Sequence, residues 1–321
     1  MASAREIKRR MKSIKNIMQV TMALEAVSAS KVRKATAQVL ASRSYSNLAM
    51  DVLANVASAN QSGTALHPLL AKRDGIGTIT IMLITSDRGT AGAYNSNIIR
   101  IARHFAHRMG KTTRWVAVGR KGRDALLRLH ENLIAEFTPV PSQLSINFVR
   151  PISHILIDEY LKGQSDEVYI AYTDFINTLT QKPSVQRLLP LIPGEAGALA
   201  GEDYVKVREV PAGKVSDYIY EPSAAGILDE IVPKFTQLII YQSLLESAAS
   251  EHSARMVAMR NASDAAKSLS DELLLSYNKA RQAAITNEIL DIVGGVEALK
   301  AKKKVSDDTE NTEAVAAQLH N

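Results

Sequence analysis

Apolar residues near the start of the chain recur with 4-3-4 spacing at Ile7, Met11, Ile14 and Met18. The pattern resumes at Val32, Ala35 and Val39, and again at Ala49, Leu53 and Val56. A stripe of this period predicts a long helix with a coiled-coil seam. Between Thr21 and Ser28 the same register presents Thr21, Glu25 and Ser28, so the seam is interrupted there and this turn is expected to meet another surface. Near the other end, Leu238, Tyr241, Leu245 and Ala248, then Met259, Ala262, Ala266, Leu269 and Leu273, then Ala280 and Ala283 form a second heptad stripe. His252 and Arg255 interrupt it midway. Alanines at 248, 249, 254, 258, 262, 265 and 266 raise helix propensity and permit close helix approach.

Helix breakers bound these two segments. Residues 1–62 and 234–293 contain neither Gly nor Pro, whereas 14 of the 16 Gly and all 10 Pro lie between Gly63 and Pro233. Gly weakens helices through backbone entropy and Pro through its missing N–H. Each end can therefore form a helix of about 60 residues, roughly 90 Å long at 1.5 Å per residue. Pro233 suits a helix start and Gly294-Gly295 a helix stop, so the second rod is expected between them. Two rods of matching length joined by a middle domain predict an intramolecular antiparallel pair. The polar segment from Ala301 to Asn321 is read as a disordered extension.

The middle has a different rhythm. Residues 79–85 form an apolar run before a Gly-containing loop, which predicts a buried strand. Ile98–Met109 reads as a helix, Trp115–Val118 as a strand, Gly122–His130 and Ile152–Leu161 as helices, and Val168–Thr173 as a strand. This alternation implies parallel strands with crossover helices. Val205–Val210 and Ser216–Tyr220 are further strand candidates, and the Pro- and Gly-rich stretch Gln181–Gly201 reads as a surface loop. The expected fold is α/β: a long antiparallel coiled coil of N- and C-terminal helices plus a central Rossmann-like α/β domain. Its expected boundaries are residues 1–62, 63–226, 227–300 and a tail at 301–321.

Charge sharpens the picture. The net charge is +6, yet residues 1–62 alone carry +7, so basicity belongs to the first rod. The absence of Cys excludes disulfides and thiolate metal sites. No window approaches 18 uninterrupted apolar residues, so no membrane span is expected. The Arg-containing N-terminus raises the question of a transit peptide, but the helical pattern runs on past Ser30 unchanged, and none is expected.

Candidate chemistry is sparse. The loop Ser86-Asp87-Arg88-Gly89-Thr90-Ala91-Gly92 follows a strand but lacks a Walker motif and G-x-G-x-x-G spacing. Gly119-Arg120-Lys121-Gly122 is a turn with two cations. His67, His104, His107, His130, His154, His252 and His320 show no metal-binding pattern. No catalytic constellation, cofactor site or metal site is expected. A basic coiled-coil nucleic-acid binder and an α/β enzyme with helical arms remain alternatives; against the first, no base-reading cluster or aromatic platform is visible.

Three stretches together resemble the gamma subunit of F-type ATP synthases. They are Met11–Asn16 through Ala29–Lys34, then Ile84–Gly89 with Gly92–Asn95, and last Leu245–Glu251, Ala254–Met259 and Tyr277–Thr286. The resemblance covers about residues 1–300. It implies a non-catalytic rotor shaft inserted in a hexamer of alpha and beta subunits, with the middle domain beside the epsilon subunit and the c-ring. It implies that Arg255, Gln282, Thr286 and Leu24 touch the beta subunits. Lys12, Lys15, Lys31, Arg33 and Lys34 would present a basic surface to acidic beta-subunit loops, and Asp87, Arg88, Gly89 and Gly92 form the family-motif turn. It further implies peripheral attachment on the cytoplasmic side of a bacterial inner membrane, or the matrix side of an organellar one. No nucleic acid is expected among the partners.

Overall fold

The computed structural model describes residues 4–58, 67–73, 75–191, 202–206 and 224–318, with backbone alone for 43–58, 224, 225, 298 and 301–318. Contacts divide the chain into two compact units, one from the two ends up to Met22 and from Asn261, the other spanning Ala23–Arg260.

The second unit is built on a five-stranded sheet. Its strands are β1 (Thr78–Ile84), β2 (Thr112–Val118), β3 (Leu133–Phe137), β4 (Glu167–Phe175) and β5 (Gln181–Leu189), in the order β3-β2-β1-β4-β5. The first four are mutually parallel, and β5 runs antiparallel to β4. Crossovers are supplied by α2 (Tyr94–Met109), α3 (Arg120–Arg128) and α4 (Ile146–Leu161). A parallel sheet is covered on both faces, so its central strand is apolar at nearly every position, Thr80 being buried against Ser165. In β1, Ile79, Ile81 and Leu83 pack with Ile98, Ala102 and Phe105 of α2. Met82 and Ile84 point the other way, into a core shared with Val149, Ile152 and Leu156 of α4.

That second core also takes in the long terminal helices, α1 (Ala4–Ser58) and α5 (Ala224–Gln318). Ala35 and Val39 of α1 join Leu228, Val232, Leu244, Leu245 and Ala249 of α5. Residues 239–250 of α5 are buried all round except for half-buried Tyr241 and Ala248. The two helices run antiparallel: Ser42 bonds Gln242, and eleven residues earlier the Lys31 charge acts on Glu251 and His252.

In the first unit, Ile7 and Thr21 of α1 are buried and Met11, Ile14 and Met18 are half-buried. The turn expected to leave the seam stays on it. Thr21 accepts a 2.7 Å hydrogen bond from Ser263 of α5 and returns its own proton to the carbonyls of Ile17 and Met18. In the second unit the same register continues through half-buried Glu25 and buried Ser28, Val32, Ala35 and Val39. The seam is chemically polar at Thr21, Glu25 and Ser28 without being turned outward. On α5 the inward positions are Ser263 and Ala266, with Ser270, Leu273, Tyr277 and Ala280 half-buried. Leu269, expected on the seam, is 42% exposed, and Ala283 is exposed as well. Small hydroxyl side chains suit a close helix approach, and at Thr21 and Ser263 they hold the seam together by a hydrogen bond between otherwise larger side chains.

Other expectations are corrected. Helix α5 starts at Ala224 and contains Pro233, which lies near its N-terminal end. It also passes through Gly294-Gly295 to Gln318. A helical Gly costs only about 1 kcal/mol relative to Ala and does not forbid continuation. The Ala-, Lys- and Glu-rich sequence beyond is a good helix former, so the expected disordered extension is helical to 318. Helix α4 begins six residues before the expected Ile152 and contains Pro151. The start of the expected surface loop at 181–201 is strand β5. Among the residues expected as further strands, Val205 forms an isolated bridge with Val185, and 207–220 lie outside the described residues.

Candidate functional site

In an open sheet of this order the crevice for ligands lies at the carboxyl ends of the strands, where the strand order reverses. Here that point lies between β1 and β4. The loop after β1 is braced by its own polar groups. The Ser86 N–H donates to Asn95 Oδ1 at 3.0 Å, and Ser86 Oγ donates to the Arg88 carbonyl at 2.6 Å. Asp87 accepts from the Arg120 N–H at 2.9 Å and from the Val140 N–H at 2.7 Å, so one carboxylate gathers the loops following β1, β2 and β3. Gly92 has φ +55°, a left-handed conformation that favours Gly.

Helix α5 fills the crevice. Tyr94 Oη donates to the Ser247 carbonyl at 3.2 Å. The Thr173 N–H, at the end of β4, donates to Ser247 Oγ at 3.3 Å, and Ser250 Oγ donates to the Thr173 carbonyl at 3.1 Å. A Cβ on Gly92 would stand 3.7 Å from the Ala258 methyl. A stretch of the chain's own helix thus lies where open sheets of this kind that bind dinucleotides hold their ligand.

Arg255 is part of this docking. Its guanidinium donates to Glu251 at 2.6 Å and to the Gly89 carbonyl at 3.4 Å, and lies 3.4 Å from His252 Nδ1. Only 12% of its side chain is exposed. A buried cation requires a counter-charge, and Glu251, one helical turn away, supplies it. Burial pushes the Glu251 carboxyl upward, Arg255 and Lys31 hold it down, and Asp87 pushes it up; the net direction is upward. Burial, then Arg255 and Lys31, depress His252 to about 4.

The structure therefore brings Arg255 of α5 onto the Gly89 carbonyl and Gly92 close to Ala258 of the same helix, with Asp87 and Lys31 acting on Glu251 through charge. Arg88 is exposed beside them. Lys12, Lys15, Lys31, Arg33 and Lys34 are all exposed on α1, and Leu24 is 38% exposed. Gln282 and Thr286 are exposed on α5, where the Thr286 hydroxyl donates to the Gln282 carbonyl at 3.0 Å. Sequence reasoning missed Glu251. Its i, i+4 spacing to Arg255 was the available signal.

The His252 environment predicts a pH effect. A folded value below the ordinary 6.5 means that the fold favours neutral imidazole. This contribution is complete above pH 6.5 and is lost as the pH falls toward 4, at most about 3 kcal/mol. Urea unfolding of the full chain at pH 7.5 and pH 5 should show a smaller drop for His252→Gln than for the unsubstituted protein. Equal drops would remove His252 from the account.

Among the described residues no group of three or more His, Cys, Asp or Glu could hold a metal ion, and no helix is long and apolar enough to cross a membrane. The sequence profile described as ATP synthase matches residues 3–299. The ATP synthase gamma chain of Dehalococcoides mccartyi is 44% identical over 299 residues, covering 93% of this chain and 100% of that relative. The corresponding chain of Roseiflexus sp. is 42% identical over 302 residues, covering 93% and 99%. Among solved structures, a chain of the Euglena gracilis mitochondrial ATP synthase (OSCP/F1/c-ring, rotational state 3) matches with TM-score 0.64 at 18% identity, over 94% of this chain and 96% of that one. A chain of the Tetrahymena thermophila central stalk and c-ring assembly matches with TM-score 0.56 at 23% identity, over 76% and 99%. The last two share the fold. On the strength of the full-length identity to its relatives, the chain belongs to the ATP synthase gamma chain family.

Proposed function

We propose that this chain is the central stalk of a proton-translocating F-type ATP synthase, a rotor subunit that performs no bond chemistry itself. The observation that carries the reading is the 44% identity to a gamma chain over that relative's whole length. The described geometry fits it: the α5 helix fills the crevice of the sheet, and the ends of α1 and α5 form a unit of their own.

In this reading the shaft stands within an alpha-beta hexamer while the sheet-bearing unit lies beside the epsilon subunit and the c-ring. Rotation presents each beta subunit with a different face of the shaft. Only such differential contact can bias conformational states. Leu24, Gln282 and Thr286 have the exposure that a contact requires, and the basic α1 residues would face acidic loops. Arg255 is already committed to Glu251 and only 12% of its side chain is exposed. Apolar side chains on α5 favour an enclosing partner: Leu290, Ile292 and Leu299 are 61%, 68% and 70% exposed. We place the assembly on the cytoplasmic face of a bacterial inner membrane, with this chain attached peripherally.

Mixing the purified chain with an alpha-beta hexamer tests the reading. A one-to-one complex with the hexamer and a change in its ATP hydrolysis are expected. A stable homodimer of this chain without affinity for the hexamer would overturn it.

A further inference from the structure

Near the crevice lies a partly buried charged cluster, with Glu246 buried and the Lys206 side chain 36% exposed, apart from the proposed contact residues. Glu246 of α5 has a side chain only 5% exposed, and its carboxylate stands 3.7 Å from Lys206 Nζ. The same ammonium is 2.8 Å from Asp174 of β4 and lies over the Tyr172 ring, 5.6 Å from its centre. Glu246 also accepts from Gln242 Nε2 at 2.8 Å, while Gln242 Oε1 accepts from Ser42 of α1. The backbone of Lys206 is fixed independently, its N–H donating to the Val185 carbonyl of β5 at 2.9 Å. One lysine thus connects β5 through its backbone with β4 and α5 through its side chain. Gln242 extends the chain of contacts to α1.

Two acids around one base are costly to bury unless the geometry holds them together. Burial and the neighbouring Asp174 push the Glu246 carboxyl upward, while Lys206 and Gln242 draw it down. Burial draws the Lys206 ammonium down, but Tyr172, Glu246 and Asp174 prevail and raise it. The cluster is also directional. It adds to the hydrogen bonds that Ser247 and Ser250 already make with Thr173 of β4, and unlike apolar burial, which is not directional, it resists a slide or roll. A shift of α5 by one residue, about 1.5 Å along and 100° around its axis, would carry Glu246 away from Lys206 and leave both charges poorly matched.

We propose that Lys206 is a positioning residue of the rotor, a pin that fixes α5 against the sheet so that rotation of the sheet-bearing unit reaches the shaft without slip. This inference rests on the central-stalk reading and names where that coupling is secured. It assigns Lys206 and Glu246 a role distinct from contact with other subunits.

The test uses the complete ATP synthase in sealed vesicles, reading ATP hydrolysis and ATP-driven proton uptake together. If the unsubstituted chain assembles and pumps, the central-stalk reading stands, and the variants then address the pin alone. Lys206→Met should lose most of its proton uptake per ATP hydrolysed while hydrolysis continues. Lys206→Arg, which keeps the cation, should retain both. Glu246→Gln leaves Lys206 paired with Asp174 and should show a smaller loss in the same ratio, which keeps the question open to measurement if Lys206→Met fails to assemble. An unchanged ratio in the Met and Gln variants, or a parallel fall of hydrolysis and uptake in both, would overturn the proposal.

Discussion

Gly119→Ala will prevent the sheet-bearing unit from folding stably. Gly119 follows β2 with φ +95°, a conformation that L side chains rarely adopt. A Cβ there would lie 2.1 Å from the Thr85 carbonyl oxygen and 2.7 Å from its carbon. Neither backbone atom can withdraw easily, because Thr85 also closes the ends of β1 and β2. Its N–H donates to the Val118 carbonyl at 2.8 Å, and its hydroxyl accepts from the Gly122 N–H at 2.8 Å. Backbone strain and overpacking combine here, at a cost of roughly 4 kcal/mol or more. That approaches the whole stability of many domains, about 5–15 kcal/mol. Gly110→Ala is the control. Gly110 also has positive φ, at +61°, but an added Cβ meets nothing within 4 Å, so the loss should be about 1–2 kcal/mol. Soluble yield and urea unfolding of both variants decide the matter; equal losses would show that the close approach to Thr85 is unimportant.

Arg255→Ala should act at two levels. It leaves the Glu251 carboxylate, 20% exposed, without the guanidinium that balances its burial, and removes the contact with the Gly89 carbonyl. Losing one member of a largely buried pair costs about 2–4 kcal/mol. Glu251 should then protonate at higher pH than in the unsubstituted chain, so the deficit should shrink as the solution is acidified. In the assembled enzyme, coupled turnover should fall because α5 is held less firmly at the loop after β1. The double change Gln282→Ala with Thr286→Ala is the counterpart. Both side chains are exposed, so stability should move by no more than about 0.5 kcal/mol, while affinity for the alpha-beta hexamer falls. If Arg255→Ala leaves unfolding untouched and weakens only the association, its pairing with Glu251 is incidental.

The parts of the fold that could be read from sequence were those with one dominant signal. Strands β1, β2 and β4 are apolar because both faces of the sheet are covered, and their runs stand out beside polar loops. Strand β3 is only five residues long, with no fully buried member, so it carries too little hydrophobic contrast. Strand β5 contains Lys182, Pro183, Gln186 and Arg187, residues that read as loop until pairing with β4 is known. Pro233 and Gly294-Gly295 read as barriers, yet α5 runs through both. Tertiary packing at one and local helix formers around the other outweigh their cost. Likewise Thr21 looked like a break in the seam because a scan for hydrophobicity cannot see Ser263 across the helix pair. The proposed contact residues rest on family resemblance alone. The internal commitments of Arg255 to Glu251 and of Glu246 to Lys206 depend on three-dimensional neighbours that spacing alone does not supply.

Strand β5 has one more consequence. Val185 directs its N–H to the Tyr204 carbonyl and its carbonyl to the Lys206 N–H, so it faces away from β4. Pro183, two residues earlier, faces the same way by the alternation of an antiparallel pair, and it has no N–H to offer. An open sheet edge invites strand addition from any neighbouring chain. For a part that turns among stationary neighbours, such an addition would act as a brake, and among the described residues Pro183 withholds one donor that it would use on this flank.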